Sequence, residues 1–279
     1  MSALRQPPLA GRFGLPRFHR ALARRSAPLD PDSAALLARM TVQPSAARAG
    51  HIDAAVVALK GAGLWAKIAT LHLHAAHDAQ AGALNWKGDG FSATPVGGPA
   101  FVPTRPDGSG SVVPAGYQGN GATSYLDLGA GLAAVPGIAT ADHGQLVWTL
   151  TDSNANQRDA GTAGSASNFI ISRSVTSLNC RSAATTASQA VVADSLGLTG
   201  YLRGSPTSVD LHKNGAVVAS IASTAASFGT GNVTVLQSNN SYSTRLVAVH
   251  VLSRYLTPAE GAQLYAILLA YLRALGAVP

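Results

Sequence analysis

The sequence is short of the groups that most often carry chemistry or staple a fold. Its single cysteine, Cys180, excludes an internal disulfide, so stability has to come from packing, with oligomerisation as a further source. It does not decide the compartment. There is one glutamate, Glu260, and charged residues make up only 12% of the chain and aromatic ones 6%. The surface must therefore be covered by Ser, Thr, Asn and Gly rather than by ion pairs, which is the habit of β-rich, loop-rich proteins. No apolar run approaches the roughly 18 residues that a membrane-crossing helix needs, because Gly, Ser or a charge interrupts each one first. Acid is missing altogether from the first 29 residues.

That last absence makes the net charge of +7 a local feature. Residues 1–29 hold six of the 20 basic residues, Arg5, Arg12, Arg17, Arg20, Arg24 and Arg25, leaving 14 bases against 13 acids in the rest of the chain. Such a tail fits a nucleic-acid arm, a secretion or transit signal, or an arm that docks on a partner's acidic surface. No apolar stretch of roughly seven residues follows the charges, so no signal peptide is expected, although an Arg-rich, acid-poor start does imitate a mitochondrial presequence. Basic residues without interleaved aromatics argue weakly for nucleic acid. Pro7, Pro8, Gly11, Gly14 and Pro16 favour an extended arm, with room for a short helix over 18–25, and its six arginines are the candidate partner-docking residues.

With 279 residues there is enough chain for one large or two small domains, and a domain of about 200 to 250 residues buries roughly 70 to 75% of its unfolded surface. A helical segment is expected first. Asp30 caps a helix opened by Pro31, with Leu36, Leu37 and Met40 as its apolar stripe. Pro44 opens another, with Ile52, Val56 and Leu59 at i, i+4 and i+7, ended by Gly61 and Gly63. These helices are too short and alanine-rich to stand alone and must pack on the rest of the chain or on a neighbouring subunit. Period-two alternation takes over from about Asp78 to Tyr255: Leu146, Trp148 and Leu150 share a face, Phe169 and Ile171 share one opposite Ile170 and Ser172, and Val233 and Val235 share another. The sequences over 161–167 (GTAGSAS) and 223–227 (STAAS) read as loops.

The clearest signals lie between Val209 and Glu260. Val209 and Leu211 alternate with Asp210 and His212, and an Asn214-Gly215 pair separates them from the apolar run 216–219. A type I′ hairpin turn needs positive φ at both central residues, which Asn and Gly tolerate. Residues 245–252 (RLVAVHVL) are apolar on both faces, so they belong in the middle of a covered sheet. Thr257, Pro258 and Glu260 form a capping box with proline at the first helical position. Short strands, glycine-rich turns and no long helical pattern before Pro258 predict an antiparallel sandwich.

This stretch resembles the last third of concanavalin A-like (laminin-G-like) jelly-roll domains, and residues 116–128 (GYQGNGATSYLDL) resemble their opening core strand. From Pro44 onward, including 64–68 (LWAKI), 75–80 (AAHDAQ) and 84–88 (LNWKG), the chain resembles structural proteins of tailed bacteriophages and prophages that carry this fold. The resemblance implies a mainly β protein, an antiparallel concanavalin A-like jelly-roll β-sandwich with an N-terminal helical segment and a C-terminal helix. The expected organisation is a basic arm (1–29), a helical docking segment (30–77) and the sandwich with its C-terminal helix (78–279).

Several constellations are candidates for chemistry. His72 and His74 share one strand face with His77 just beyond, beside Asp78, yet nothing else supplies a third and fourth zinc ligand at a recognisable spacing. Half-buried strand histidines are expected instead. Asp152, Asn154, Asn156 and Asp159 offer oxygens for calcium, which many laminin-G-like domains bind, but without an EF-hand pattern they read as a solvated loop. Glycoside hydrolysis needs two carboxylates about 5 to 10 Å apart. The E-x-D-x-E strand of the glucanase relatives is missing, and Glu260 is a helix cap, which leaves only a pair of aspartates, for example Asp127 and Asp142. Asp142-His143 lacks a G-x-S-x-G elbow, and Gly116 to Gly121 precede a strand rather than the helix N-terminus a phosphate needs, so they read as turn glycines. Trp65, Trp86 and Trp148 are expected to pack rather than to stack on sugars, Trp86 with partial exposure.

The expectation is a protein that is not an enzyme and needs no cofactor or metal. By resemblance it is a virion structural component of a tailed phage or prophage, part of a fibre, spike or decoration. It attaches to other virion proteins through the arm and helices, is homo-oligomeric, and displays a sandwich able to bind host-surface glycan. No membrane or nucleic-acid partner is expected. The alternative is a secreted or surface bacterial lectin or glycan hydrolase.

Overall fold

The computed structural model describes residues 28–104, 113–163 and 165–279, side chains at 165–167 excepted, so the six arm arginines Arg5, Arg12, Arg17, Arg20, Arg24 and Arg25 lie outside the described residues. The chain begins with α1 (Pro31–Ala38), α2 (Ala46–Gly61), β1 (Ile68–Leu73) and the short α3 (Ala79–Ala83). Then come β2 (Thr94–Val96), β3 (Ala100–Val102), β4 (Gly116–Gln118), β5 (Tyr125–Asp127) and β6 (His143–Thr149). The middle of the chain forms β7 (Ala160–Thr162), β8 (Ser165–Ser174), β9 (Ser177–Ser182), β10 (Ser188–Val191), β11 (Gly197–Arg203), β12 (Ser208–Lys213) and β13 (Ala216–Ala222). It closes with β14 (Val233–Val235), β15 (Gln237–Ser238), β16 (Ser241–Tyr242), β17 (Leu246–Ser253) and α4 (Pro258–Ala274).

These strands make a β-sandwich of two antiparallel sheets. The first runs β13-β12-β11-β6-β17-β4-β3, with β1 also paired to β17; the second runs β10-β9-β8-β7-β14-β5-β2. β4 pairs with the start of β17 at Leu246 and Val247, and β1 pairs further along the same strand, His72 opposite His250. All eight residues of β17 are buried, as a strand with apolar residues on both faces requires. Asn214 and Gly215 join β12 to β13 with φ of 50° and 81°, the two positive angles of a I′ turn. β1 falls within residues 30–77, so that segment contributes a strand to the first sheet as well as its helices.

Three layers result. Leu36, Ile52, Val56 and Leu59 of the N-terminal helices and Leu264, Leu268 and Leu272 of α4 pack with Leu71, Leu146, Trp148, Val249 and Val251 of the first sheet. Between the sheets lie Tyr117, Leu126, Val233, Val235 and Leu252 at one end and Val147, Ile170, Leu178, Tyr201 and Leu211 at the other. Each fully buried aliphatic side chain there contributes roughly 1.5 to 3 kcal/mol before the entropy of ordering is counted. The helices cover the outer face of the first sheet.

The helix ends follow from side chains that satisfy otherwise unpaired amides. Asp30 accepts from Asp32 N at the start of α1, and Thr257 and Glu260 form the capping box of α4, where Glu260 also pairs with Lys67 at 2.6 Å. Three sequence expectations need correction. Pro44 does not open α2, which starts at Ala46 with Ser45 as its cap, because the Ser45 side chain reaches Arg48 N. Residues 161–167 are not simply a loop: β7 continues to Thr162 and β8 begins at Ser165, since small residues still pair through their backbones. Gly116 is a strand residue of β4 rather than a turn glycine, where a Cβ would lie 2.1 Å from the carbonyl oxygen of Val247.

Candidate functional site

The second sheet is built from strands whose inward residues, Ile170 on β8 and Leu178 and Cys180 on β9, join the core. Alternation then turns Phe169 and Ile171 of β8, and Asn179 and Arg181 of β9, to the outer face. Register places Phe169 opposite Arg181 and Ile171 opposite Asn179, and β10 sets Gln189 beside Asn179. The outcome is a cleft of about 490 Å³ on the outer face, lined mainly by polar groups: Asn156, Arg158, Asn179, Gln189 and Ser241 around Phe169. No carboxylate is among its lining residues.

One wall is the β15–β16 hairpin, which closes over β7. Gly161 permits this, because a Cβ there would come within 2.7 Å of Ser238. Ser238 Oγ donates to the carbonyl oxygens of Thr162 (3.1 Å) and Asn168 (3.3 Å), and Arg158 Nη1 donates to the Ser238 carbonyl at 3.3 Å. Next to Ser241, Tyr242 packs on Tyr125, ring centroids 6.1 Å apart. The floor is Phe169, with the guanidinium carbon of Arg158 4.4 Å and that of Arg181 5.3 Å from its ring centre. Arg158 has its pKa lowered from the ordinary guanidinium value, first by burial and then by the like charge of Arg181. Neither arginine forms an ion pair among the described residues, and Arg181 Nε is buried without a hydrogen-bond partner.

The loop that delivers Asn156 and Arg158 is held from behind. Arg245 donates to the carbonyl oxygens of Ser153 (2.8 Å), Ala155 (3.0 Å) and Gln157 (3.2 Å), on both sides of Asn156. Its charge is met by Asp159 at 2.9 Å, and both side chains are fully buried.

The residues singled out in the sequence are dispersed or already engaged. His72 and His74 face the space between the sheets, fully buried, where burial lowers His72 to about 4 and burial with the neighbouring His72 lowers His74 to about 3. Both are neutral near pH 7. His77 instead turns to Asp78 (3.0 Å) and the Val42 carbonyl oxygen (2.8 Å). Among the described residues no group of three or more His, Cys, Asp or Glu side chains is arranged for a metal ion. The hoped-for calcium oxygens part company: Asp159 is locked to Arg245, Asp152 accepts from Ser195 N and contacts Arg173 at 3.5 Å, and Asn156 joins the cleft.

Asp127 accepts from Gly129 N and Asn232, on the second sheet, while Asp142 is bound to Arg254 and Tyr255 N beside the first. They do not converge on one pocket. His143 points inward to Ser182 Oγ (3.1 Å) and to the Ala139 carbonyl oxygen, and is lowered to about 4 by burial and then by Arg203, so this Ser–His contact is sealed from substrate. Trp148 stacks on Tyr265 and Trp86 meets Tyr271 edge-on; Trp86 is buried, not partly exposed. Trp65 carries the Lys87 ammonium 3.9 Å from its ring centre.

Arg158, Arg181, Asn179 and Gln189 were not among the sequence candidates. Alternation did place Phe169 and Ile171 on one face, and an arginine alternating with Leu178 and Cys180 marks the outer side of β9. Which strands lie side by side was not legible.

No family model matches the sequence, and no curated protein matches it. Among solved structures it is similar to domain 4 of AbnA, an extracellular GH43 arabinanase from Geobacillus stearothermophilus, in complex with arabinotriose, with 12% identity over 71% of this chain and 98% of that one, at a TM-score of 0.46. It is also similar to Trypanosoma rangeli sialidase (12% identity, 78% of this chain, TM-score 0.49) and to the botulinum neurotoxin serotype D binding domain (7% identity, 72% of this chain, TM-score 0.48). The chain spans 39% of the sialidase and 52% of the toxin chain.

Proposed function

We propose that this chain is a non-enzymatic structural and binding protein whose jelly-roll sandwich presents the outer face of its second sheet to glycans. The observation that carries the reading is the open cleft of about 490 Å³ on that face, which offers amide, hydroxyl and guanidinium groups but no carboxylate. Amides and arginines suit the hydroxyl and ring-oxygen pattern of a saccharide, whereas glycoside hydrolysis needs a pair of carboxylates. The other outer face is covered by α1, α2 and α4, so the division of labour is attachment on the helical side and recognition on the opposite side.

By the resemblance of its motifs, the setting of this binding is a tailed-phage or prophage virion, where homo-oligomers of the chain form or decorate a fibre, spike or other appendage. Two measurements test the proposal. Full-length protein applied to a glycan array should bind above background; a signal at background on every glycan overturns the binding function. Immunogold electron microscopy of purified particles, with antibody to residues 78–279, should label heads or tails. Unlabelled particles with antigen on cells or free in the medium would replace the virion setting by that of a bacterial lectin.

A further inference from the structure

The cleft holds more than a generic polar surface. Two arginines share one buried ring, Phe169: Arg158, which lines the cleft, and Arg181, opposite Phe169 on β9, have guanidinium carbons 4.4 and 5.3 Å from the ring centre. A guanidinium laid near an aromatic ring uses its flat face for that contact and keeps its in-plane N–H groups for a ligand. Arg158 spends one of these on the Ser238 carbonyl oxygen, and Arg181 Nε is buried with no partner. Two like charges held at one ring without a carboxylate repel each other. An ordinary solvated arginine would turn into water to escape that, but Arg158 is tied to the adjoining hairpin through the Ser238 carbonyl oxygen, and Arg181 Nε is buried. Around them Asn156, Asn179, Gln189 and Ser241 supply neutral donors and acceptors.

We propose that the cleft takes an acidic saccharide, its anionic group seated between Arg158 and Arg181 and its hydroxyls read by the surrounding amides. This deepens, and rests on, the glycan-binding function proposed above. The anion is a sugar carboxylate or a sulfate ester; both present oxygens that match the guanidinium fork. It would offset the mutual repulsion of the arginines. A neutral sugar offers no such gain.

The test uses the full chain and three probes in calorimetric titrations: trigalacturonic acid, its methyl ester, and a sulfated galactan oligosaccharide. The ester replaces each charged carboxylate by a neutral methyl ester on the same sugar skeleton. The expected result is that the acid or the sulfated probe binds at least about tenfold more tightly than the ester, since a hydrogen bond to a charged group contributes roughly 1.5 to 3 kcal/mol. Which of the two prevails tells carboxylate from sulfate. Arg158→Gln and Arg181→Gln should each remove most of that preference, whereas Arg158→Lys, which keeps the charge but loses the fork, should retain part of it. Raising the salt should weaken the charged probe and leave the ester unchanged. Both arginines are only half-buried, so these variants should keep the wild-type thermal transition.

Three results would overturn the proposal, and they are distinguishable. If acid and ester bind alike and the variants change nothing, the cleft is a neutral-glycan site and the broader function stands. If the charged probes are preferred but the preference survives both substitutions, the six arginines of residues 1–29 are responsible and not the cleft. If no probe binds and the glycan array is also at background, the glycan-binding function itself falls and takes this inference with it.

Discussion

Asp159 and Arg245, 86 residues apart in sequence, form an ion pair at 2.9 Å in which neither side chain has any exposure. All but one of the pair's polar side-chain atoms are hydrogen-bonded, the exception being the buried Arg245 Nε. Asp159 also accepts from Ser172 N and Ser243 Oγ, and Arg245 donates to the carbonyl oxygens of Ser153, Ala155, Gln157 and Arg173. It ties β17, the strand at the centre of the first sheet, to the loop before β7 that carries Asn156 and Arg158 into the cleft. Stability and the proposed binding therefore meet in one contact.

Removing one partner leaves the other charge buried and alone, which typically costs about 3 to 5 kcal/mol. Arg245→Met should lower stability in urea denaturation by roughly that amount and weaken glycan binding at 20 °C, where enough of the protein is still folded to measure. Asp159→Asn combined with Arg245→Met should recover part of the stability, because no lone charge remains, but not the binding, because the carbonyl clamp on the loop is gone. A single variant as stable as wild type would show that the pair is hydrated and of little consequence.

The histidines between the sheets give the protein a defined acid limit. Burial holds His72 and His143 at about 4 and His74 at about 3, and lowers His250 well below its usual value. The unfolded chain, titrating near 6.5, takes up protons that the fold refuses. Their contribution is thus complete above pH 6.5 and is lost as the pH falls from there towards 4. At pH 5 the loss is about 2 kcal/mol for each of His72, His74 and His143. Urea midpoints should fall steeply between pH 7 and pH 5. A flat profile over that window would mean the imidazoles are charged or solvated within the fold.

Much of this was readable wherever a signal is local. Asn214-Gly215 carries its own backbone preference, Thr257 and Glu260 satisfy amides within three residues, and 245–252 can only be covered on both faces. Alternation sorted Phe169 from Ile170, but it cannot say which of two apolar faces is the core; that is decided by Arg181 and Asn179 on the adjoining strand. The cleft was hidden for the same reason. Its residues come from the loop before β7, from β8, β9 and β10, and from the β15–β16 hairpin, and nothing in their spacing announces that they meet. Composition misled at residues 161–167, where Gly, Ser and Ala look like a loop yet pair as strand ends.

Two glycines should be sensitive for separate reasons. Gly116 has φ of 150°, and a Cβ would sit 2.1 Å from the Val247 carbonyl oxygen, against the backbone of the most buried strand, which cannot give way. Gly116→Ala should cost at least about 2 kcal/mol. Gly215, at φ of 81°, also faces α4, where a Cβ would meet Tyr265 at 2.9 Å. Gly215→Ala should therefore destabilise through the contact with α4 as well as through the backbone preference, whereas Asn214→Ala also loses the bond that its Oδ1 accepts from Leu198 N at 2.9 Å. A thermal unfolding midpoint for Gly215→Ala within a degree or so of wild type would remove the contact with α4 from the account.

The proposed split between an attachment side and a recognition side makes a further prediction for the basic N-terminal stretch. Folding should not need it, because Asp30 supplies the first cap, pairs with Lys60 at 2.5 Å and donates its own amide N–H to Asp53 Oδ1. Deleting residues 1–29 keeps all of these groups. The truncated protein should melt within a few degrees of the full chain and bind saccharide in its cleft with unchanged affinity. In a sedimentation assay with purified particles it should fail to attach, and the full chain should attach less as salt is raised, since exposed charge pairs are screened. If the truncated protein sediments with particles as well as the full chain does, attachment belongs to the helical side, α1, α2 and α4, and the arginines act elsewhere.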